Sequence, residues 1–291
     1  MSVVLRLRDR QLELSEPVLM GIVNATPDSF SDRQGPKHPD EPAERGLRLV
    51  EDGAAILDVG GESGRTDTEA VPVEEEIARV VPVIECLAGT GALVSVDTWR
   101  GPVASAALDA GASMINDVSG LSDAAVAEAC AKVGAALVIT HTTVPPKTKA
   151  LPHYDDVVAS VREFLDERMA TARAAGVGED RIVLDPGIDI AKSPADSIEL
   201  IRRLPELASL GHPLLLAVSR KDFVGALTER PPSKRDPGTL AAVGAAVDAG
   251  ARIIRVHDVA GARDFLRVHE ALAKGADRGL ELAPELRREA V

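Results

Sequence analysis

Short apolar runs rich in valine, isoleucine and leucine alternate along the chain with longer alanine-rich segments of helical periodicity. The first pattern predicts β-strands and the second predicts amphipathic helices, one of which spans residues 193–211. The predicted strands span residues 18–24, 56–60, 93–97, 114–118, 136–141, 182–187, 214–219 and 253–258. Because most of these runs are apolar on both faces and helical segments separate them, the pattern is typical of parallel strands joined by crossover helices.

The number of strand and helix units predicts the architecture. Eight such units within about 250 residues favour an α/β fold of the closed (β/α)8 TIM barrel type, with an open doubly wound sheet as the alternative. Residues 1–15 alternate apolar and polar positions around a central Asp-Arg turn, which predicts an N-terminal β-hairpin that covers the barrel floor. We therefore expect a single domain over residues 1–291, with the barrel at 18–275 and a C-terminal tail at 276–291.

Composition and charge limit which partners the protein can bind and which compartment it occupies. The chain of 291 residues carries a formal net charge of −13, which repels nucleic acid and anionic membranes, so we expect neither as a partner. The two cysteines, Cys86 and Cys130, lack the spacing of a zinc site or a disulfide framework. Arginines interrupt the N-terminal segment where a signal peptide needs an apolar core, and no apolar run approaches the roughly 20 residues of a membrane span. These features predict a cytoplasmic protein.

Nearly every predicted strand ends in a polar side chain. These residues are Asn24, Asp58, Asp97, Asn116, His141, Asp185, Ser219, Arg255 and His257. In a TIM barrel, the C-terminal ends of the strands and the loops that follow them form the active site. A capping role explains any one such residue equally well, but so many together predict a shared site. For His141 alone, a structural role is as good an explanation as a functional one.

Sequence motifs spread over almost the whole chain carry a resemblance to a known family. They read MGIVNATPDSFSD, DGAAILDVGGES, VSVDT, INDVSG, VLDPGI, SRKDFVG and RVHD. In these motifs the chain resembles the dihydropteroate synthases, the pterin-binding enzymes of folate biosynthesis. Members of that family join 6-hydroxymethyl-7,8-dihydropterin diphosphate to the amine of p-aminobenzoate and release pyrophosphate. The resemblance therefore implies a transferase whose substrates are a pterin diphosphate and an aromatic amine.

The resemblance also implies which residues hold the pterin. Asp185 accepts two N–H bonds from the aminopyrimidinone edge, because an ionised carboxylate matches that pair of donors. Asn116 and Asp97 contact the same ring, and Lys221 reaches a ring carbonyl or ring nitrogen. The further substrate-binding residues implied by the motifs are Ser219, Arg220, Arg65, Arg255 and His257.

The resemblance assigns the chemistry of pyrophosphate release to the last strand. Arg255 and His257 lie on one face of that strand and assist the departure of the diphosphate, so they are implied catalytic residues together with Lys221. Mg²⁺ is the implied cofactor, with Asn24 as its protein ligand. One amide oxygen suffices, because Mg²⁺ keeps most of its waters and binds phosphate oxygens.

The resemblance further implies a homodimer, since the family often pairs through its later helices. The alanine-rich segment 239–251 is the candidate surface for this contact. Tight packing of that helix against the barrel explains the same composition nearly as well.

Several positions depart from the family pattern. Gly64 stands in place of a threonine, Thr142 in place of a methionine, Asp189 and Ile190 in place of Gly-Phe, and Ser197 in place of an asparagine. These changes border the expected amine slot and the mobile loops, whereas the residues implied for the pterin and the diphosphate are nearly all retained. The alternative is therefore a paralogue that binds pterin but uses another amine or is catalytically inactive.

Two other enzyme classes share parts of this pattern. A methyltetrahydrofolate-binding methyltransferase domain also holds a pterin in a barrel, but it does not need a cluster for a diphosphate. An aldolase-type barrel would use Lys221 as a Schiff-base lysine. The Ser-Arg-Lys setting of this lysine, just beyond the strand, makes the aldolase the weaker alternative.

Overall fold

The computed structural model describes residues 4–26, 41–64, 69–275, 279–283 and 286. Its strands are β1 (Val4–Leu7), β2 (Arg10–Glu13), β3 (Val18–Asn24), β4 (Ile56–Gly60), β5 (Leu93–Asp97), β6 (Met114–Asp117), β7 (Ala136–Thr140), β8 (Ile182–Asp185), β9 (Leu215–Leu216) and β10 (Ile253–Val256). Its α-helices are α1 (Glu41–Glu51), α2 (Val73–Gly89), α3 (Gly101–Asp109), α4 (Ala124–Val133), α5 (Val157–Ala174), α6 (Pro194–Arg202), α7 (Leu204–Ala208), α8 (Asp222–Thr228), α9 (Asp236–Asp248) and α10 (Val259–Lys274). Short 3₁₀ helices span Glu179–Arg181 and Pro232–Lys234.

The main sheet closes into a barrel. Its eight strands run in the order β8-β7-β6-β5-β4-β3-β10-β9, and every pairing between neighbours is parallel. A parallel bridge between Leu184 of β8 and Leu214, just before β9, joins the two ends of this order. The expectation of a (β/α)8 barrel is therefore confirmed, and the open doubly wound sheet is excluded.

The observed elements differ from the predicted ones mainly at their ends. β9 contains only Leu215 and Leu216, although the apolar run 214–219 predicts a longer strand. The segment 193–211, predicted as one helix, forms α6 and α7 with a break at Arg203. Pro205 explains this break, because proline has no backbone N–H for the helical hydrogen bond and crowds the preceding turn.

The N-terminal hairpin covers the barrel floor as expected. β1 pairs with β2 in an antiparallel register, and Leu5, Leu7 and Leu14 are fully buried. These leucines pack against inward-facing side chains from the lower half of the barrel, namely Met20, Ile56, Leu93, Met114, Ala136, Val138, Val183, Leu215 and Ile253. Residues 1–3 of the predicted hairpin, and most of the predicted tail 276–291, lie outside the described residues.

The second hydrophobic layer lies between the strands and the surrounding helices. It includes Leu57 of β4, Val96 of β5 and Ile139 of β7, each buried against helical residues such as Ile84 and Leu165. Among the described helices, none has the length and apolar character needed to cross a membrane.

Strand alternation sets what faces the inside of the barrel. In each strand, residues two positions apart point to the same side. The lower inward positions are apolar, as at Ile56 and Ile253, and the upper inward positions on the same strands are Asp58 and Arg255. The change from apolar to polar along the same face creates a polar mouth above an apolar plug.

Candidate active site

The strand register brings the polar strand ends to one level of the barrel. Asn24 pairs with Gly60, Gly60 with Asp97, and Asp97 with Asn116. On the far side of the barrel, Asp185 ends β8 in register with Thr140 of β7. Because paired residues of parallel strands point to the same side, these polar side chains face the same opening.

Arg255 joins three strands at the centre of this opening. Its Nε donates a hydrogen bond to Oδ2 of Asp58 at 2.6 Å, and its Nη2 donates to Oδ2 of Asp97 at 3.0 Å. Asn116 donates from Nδ2 to the same Asp58 oxygen at 3.0 Å. The contacts fix the guanidinium between β4 and β5 and fix the amide of Asn116 beside it.

Two acceptor atoms in this cluster remain open. Oδ1 of Asp58 and Oδ1 of Asn116 are buried and have no hydrogen-bond partner among the described residues. Buried polar atoms are almost always paired, so open acceptors here are what a site for an N–H-bearing ligand requires. Burial raises the pKa of Asp97 to about 7, while the charge of Arg255 acts in the opposite direction.

Asp185 lies across the opening from that cluster and is 3% exposed. Its Oδ1 accepts a hydrogen bond from the backbone N–H of Gly187 at 2.7 Å. Burial raises the pKa of this carboxyl, and the Gly187 N–H and the charges of Lys221, Lys192 and Arg255 lower it. The positive charges of Lys221 and Arg255 therefore act on the same carboxylate, which indicates that the three side chains belong to one site.

Lys221 stands at the N-cap position of α8, just beyond β9. Burial lowers the pKa of its ammonium group, and the carboxylates of Asp189 and Asp185 act in the opposite direction. The side chain makes no hydrogen bond within the described part of the chain. Its three N–H donors are thus available to a ligand.

Ser219, three residues beyond β9, and His257, the residue after β10, form a pair. The Ser219 Oγ atom lies 2.9 Å from Nδ1 of His257 and accepts the backbone N–H of His257 at 3.3 Å. The serine hydroxyl donates to Nδ1 in the tautomer of the neutral ring that carries its proton on Nε2. Burial lowers the pKa of His257 to about 4, and the charges of Arg220 and Arg255 lower it further.

Arg220 is held by α9. Its Nε and Nη2 donate to the two carboxylate oxygens of Asp236 at 2.8 and 3.2 Å, and its backbone N–H donates to Oγ1 of Thr239 at 3.0 Å. Its backbone is in the left-handed region at φ 58°. Its positive charge nevertheless lowers the pKa of His257, so Arg220 adds to the positive potential around that ring. Arg65 lies outside the described residues.

Asn24 ends β3 with its side chain exposed at the mouth. The backbone N–H of the next residue, Ala25, donates to the carbonyl of Gly60 at 2.8 Å, which fixes this strand end. Within the described residues, no group of three or more histidine, cysteine, aspartate or glutamate side chains could hold a metal ion. An exposed amide oxygen such as that of Asn24 fits Mg²⁺ as a single protein ligand, since this ion takes its other ligands from phosphate and water.

His141 faces away from the opening. It follows Thr140, whose side chain faces inward, so its ring lies outside the strands with its centroid 4.8 Å from that of Phe164 on α5. Its Nδ1 lies 2.8 Å from Nζ of Lys192, which also donates to the carbonyls of Gly187 and Ile190 at 3.0 Å each. His141 and Lys192 therefore hold the loop after β8 from outside the barrel.

The structure shows what surrounds the residues that differ from the family pattern. The Thr142 hydroxyl donates to the carbonyl of Val144 at 2.9 Å and stabilises a turn after β7. Ser197 donates from Oγ to Oδ1 of Asp189 at 2.9 Å, so two of the unusual residues contact each other. A side chain at Gly64 would meet open space.

Strand-end reasoning places Asp58 in the shared site but gives it no role as a substrate contact, and it does not include Lys192. The sequence shows Asp58 as a carboxylate in an otherwise apolar strand, and the structure shows that it is fully buried. Lys192 is a buried lysine bound by backbone carbonyls, and only the fold of its loop shows those partners.

A family model described as "Pterin binding enzyme" matches residues 20–257. The dihydropteroate synthase of Escherichia coli (strain K12) is 40% identical over 262 residues, which cover 89% of this chain and 93% of that protein. The dihydropteroate synthase of Neisseria meningitidis serogroup C is 43% identical over 268 residues, which cover 90% of this chain and 95% of that protein.

Solved structures give the same likeness in three dimensions. The dihydropteroate synthase of Xanthomonas albilineans with 4-aminobenzoic acid superposes with a TM-score of 0.88 at 44% identity, covering 94% of this chain and 99% of that one. The enzyme from the same organism in complex with 7,8-dihydropteroate superposes with a TM-score of 0.84 at 44% identity, covering 93% of this chain and 99% of that one.

Proposed function

Because the chain belongs to the dihydropteroate synthase family of pterin-binding enzymes, we propose that its barrel mouth condenses 6-hydroxymethyl-7,8-dihydropterin diphosphate with p-aminobenzoate. The reaction releases pyrophosphate and forms dihydropteroate, an intermediate of folate biosynthesis. The relatives named dihydropteroate synthase, 40% and 43% identical over most of the chain, favour this transferase over the methyltransferase and aldolase alternatives.

One observation carries the assignment of the site. Acceptor atoms of Asp58 and Asn116 are buried and unpaired among the described residues, and they share a mouth with Asp185 and Lys221. A pterin presents N–H donors and a ring carbonyl along one edge. Carboxylate and amide oxygens match the donors, and the ammonium group of Lys221 matches the carbonyl.

The chain's own residues first orient the pterin. Asp185 accepts from the aminopyrimidinone edge, since its Oδ1 is already fixed by Gly187 and its carboxylate plane therefore has a defined direction. Asn116 and Asp97 contact the ring from β6 and β5. This rigid hold places the methylene carbon that bears the diphosphate toward the amine slot.

The diphosphate end faces the last two strands. Arg255 places its positive charge near the leaving group, and His257 donates a hydrogen bond from Nε2 to a diphosphate oxygen. The amine nitrogen forms a bond to the methylene carbon as the bond from that carbon to the diphosphate oxygen breaks. The electron pair leaves with pyrophosphate, and the amine proton passes to the solvent or to the pyrophosphate. We assign substrate contacts also to Ser219, which orients His257, and to Arg220, which adds positive charge.

Arg65 completes the proposed set of substrate contacts from the loop after β4. Asn24 would hold Mg²⁺, which, when bound, neutralises charge that develops on the pyrophosphate oxygens. The protein supplies the exposed amide oxygen at the end of β3 and keeps it fixed through the backbone pairing of Ala25 with Gly60.

Steady-state measurement of pyrophosphate release tests the proposed function. With Mg²⁺ and the pterin diphosphate present, release should require p-aminobenzoate, and mass spectrometry should detect dihydropteroate. Release that another aromatic amine supports, but p-aminobenzoate does not, would favour a paralogue with a different second substrate. Tight pterin binding without release in the presence of any amine would contradict the synthase assignment.

We propose that the single domain assembles as a homodimer through α9 and α10. Val268 and Leu272, one turn apart on α10, are 60% and 83% exposed. Ala241 and Ala245 are exposed on α9, which packs beside α10. Light scattering should give twice the mass of the 30.5 kDa chain, and the double variant Val268→Asp, Leu272→Asp should give a monomer. A monomeric wild-type protein would exclude the dimer.

We also propose that the protein acts in the cytoplasm. Cys86 is exposed and Cys130 is buried, and both carry free thiols. Free thiols suit a reducing compartment. Fractionation of cells that express the chain should recover it with cytoplasmic markers, and recovery in an oxidising compartment would contradict this proposal.

A further inference from the structure

The carboxylate of Asp189 connects two loops at the barrel mouth. Asp189 lies in the loop after β8, four residues beyond Asp185. Its Oδ1 accepts the hydroxyl proton of Ser197 at 2.9 Å, and its Oδ2 accepts the backbone N–H of Asp222. One side chain thus joins α6, which carries Ser197, to the first residue of α8.

Two hydrogen bonds with Ser197 fix both the backbone and the carboxylate of Asp189. Its hydroxyl oxygen accepts the backbone N–H of Asp189 at 3.1 Å while its proton goes to the Asp189 carboxylate. Ser197 is fully buried on the first turns of α6, so its position is set by the helix. The two hydrogen bonds leave the Asp189 side chain little freedom. Its backbone is in the left-handed region at φ 61°, which aspartate tolerates better than most residues.

The other end of the link is the segment that carries Lys221. Asp222 directly follows Lys221, so the hydrogen bond from its N–H fixes the peptide between the two residues. Arg235 also holds this segment, donating from Nη1 to the carbonyls of Arg220 and Lys221 at 2.9 and 3.1 Å. The backbone of Lys221 is therefore held between Asp189 and Arg235.

The ammonium group of Lys221 lacks such support. Its side chain makes no hydrogen bond within the described ranges, and it is partly buried among charged neighbours. Among these neighbours, the carboxylate of Asp189 is the strongest single charge that favours the protonated form, followed by Asp185. Asp189 thus contributes negative charge as well as a backbone contact.

We propose that Asp189 is a positioning residue that holds Lys221 in place to bind the pterin, and that Ser197 acts through it. This inference rests on the proposed function, because it assigns the pterin to Lys221. It gives the unusual pair Asp189 and Ser197 one joint task, because Ser197 holds the carboxylate that accepts the Asp222 N–H.

Calorimetric titration with the pterin diphosphate tests this role in the full-length protein. Asp189→Asn keeps the shape of the side chain but removes its charge and one acceptor. We expect its Kd for the pterin diphosphate to rise about tenfold, the effect of losing a hydrogen bond to a charged group. In steady state, KM for the pterin substrate should rise by a similar factor, with kcat and the KM for p-aminobenzoate within about twofold of wild type. Loss of folded protein would instead lower kcat and leave KM unchanged.

Glu199→Gln is the matched control, because it removes one negative charge from α6 without touching α8. Glu199 pairs with Arg202 on the same helix, and its variant should bind as wild type does. Ser197→Ala should weaken binding, and adding it to Asp189→Asn should cause no further loss, since both changes break the same link. Fully additive effects would overturn the role assigned to Ser197.

Hydrogen exchange of the Asp222 amide supplies a readout that needs no substrate. In the free protein, this amide should exchange at least about tenfold faster in Asp189→Ala than in wild type or Glu199→Gln. Equal exchange rates, or equal Kd values in wild type and Asp189→Asn, would overturn the positioning role. A wild-type protein that binds the pterin diphosphate but never forms dihydropteroate would overturn the proposed function instead.

Discussion

Arg255 on β10 donates a hydrogen bond of 2.6 Å to Asp58 on β4, across the intervening strand β3. The two residues are 197 positions apart in sequence. Asp58 is fully buried and also accepts from Asn116, so one carboxylate orients a cation and an amide that face the same opening. The polar layer of the barrel is therefore a connected unit, and removing its central acid should disturb binding and stability together.

Asp58→Asn tests that connection. The variant leaves the Arg255 charge with only Asp97 as an acidic hydrogen-bond partner, and we expect the free energy of unfolding in urea to fall by about 3 kcal/mol. The Kd for the pterin diphosphate should rise about tenfold, because Asn116 and Arg255 lose their common acceptor. Asp109→Asn, at an exposed position on α3, should change the unfolding free energy by less than about 0.5 kcal/mol. Equal effects of the two substitutions would contradict the central role of Asp58.

Gly187→Ala tests the loop that fixes Asp185. Gly187 has φ 70°, and a Cβ atom there would lie 2.2 Å from the carbonyl oxygen of His141. We expect the variant to lose more than about 2 kcal/mol of unfolding free energy, from the left-handed backbone and the clash together. Gly211 also has a positive φ, of 85°, but a Cβ there would meet nothing within 4 Å. Gly211→Ala should therefore cost only about 1 kcal/mol, and equal costs at the two sites would exclude the clash.

His257 makes stability depend on pH. Burial lowers its pKa from the ordinary 6.5 to about 4, so between these values the unfolded chain binds a proton that the folded protein does not. Stability contributed by the neutral ring is thus present above pH 6.5 and is lost as the pH falls toward 4. On going from pH 7 to pH 5, wild type should lose about 2 kcal/mol more unfolding free energy than His257→Gln.

Urea unfolding of both proteins at pH 7 and pH 5 measures this difference. The other acidic and histidine groups, including His141, are common to the two proteins and largely cancel in the comparison. The same loss in both proteins would show that the buried His257 ring does not carry the lowered pKa.

His257 should also separate binding from turnover. Its Nε2 proton faces the leaving group in the proposed mechanism, so His257→Gln should lower the single-turnover rate of pyrophosphate release about 100-fold. The Kd for the pterin diphosphate should change by less than about threefold, because Asp185 and Lys221 still hold the ring. Ser219→Ala, which removes the partner of Nδ1 and of the His257 backbone N–H but leaves the ring in place, should slow release less than His257→Gln does. A large rise in Kd with an unchanged rate would contradict the division of roles.

Much of the fold can be predicted from the sequence because barrel strands are regular. Side chains two positions apart on a strand point to the same side, which places Asp58 above Ile56 and Arg255 above Ile253. The eight repeats of strand and helix indicate that the sheet closes into a barrel. The ends of elements are harder to predict. β9 contains only two residues of the predicted strand 214–219, and Arg220 just beyond that range is in the left-handed region at φ 58°. The predicted helix 193–211 breaks before Pro205.

The site was harder to predict than the fold. Strand-end position brings Asn24, Asp97, Asn116 and Asp185 to one mouth, and that placement follows from parallel register alone. His141 shows the limit of this argument, because one residue beyond Thr140 it faces the opposite side of the strand. The contact between Asp189 and Ser197 could not be predicted either, since it depends on a left-handed loop whose conformation no periodicity encodes.

Calorimetric titration of the pterin diphosphate into wild type and Asp185→Asn tests the central claim most directly. Asn at this position keeps an oxygen for the Gly187 N–H but replaces the second acceptor with a donor that repels the pterin edge. The account predicts binding about 100-fold weaker than wild type, the effect of losing charge-assisted hydrogen bonds to the ring. Asp264→Asn, an exposed change on α10, should bind as wild type does. Equal affinity in Asp185→Asn and wild type would contradict the account of this site.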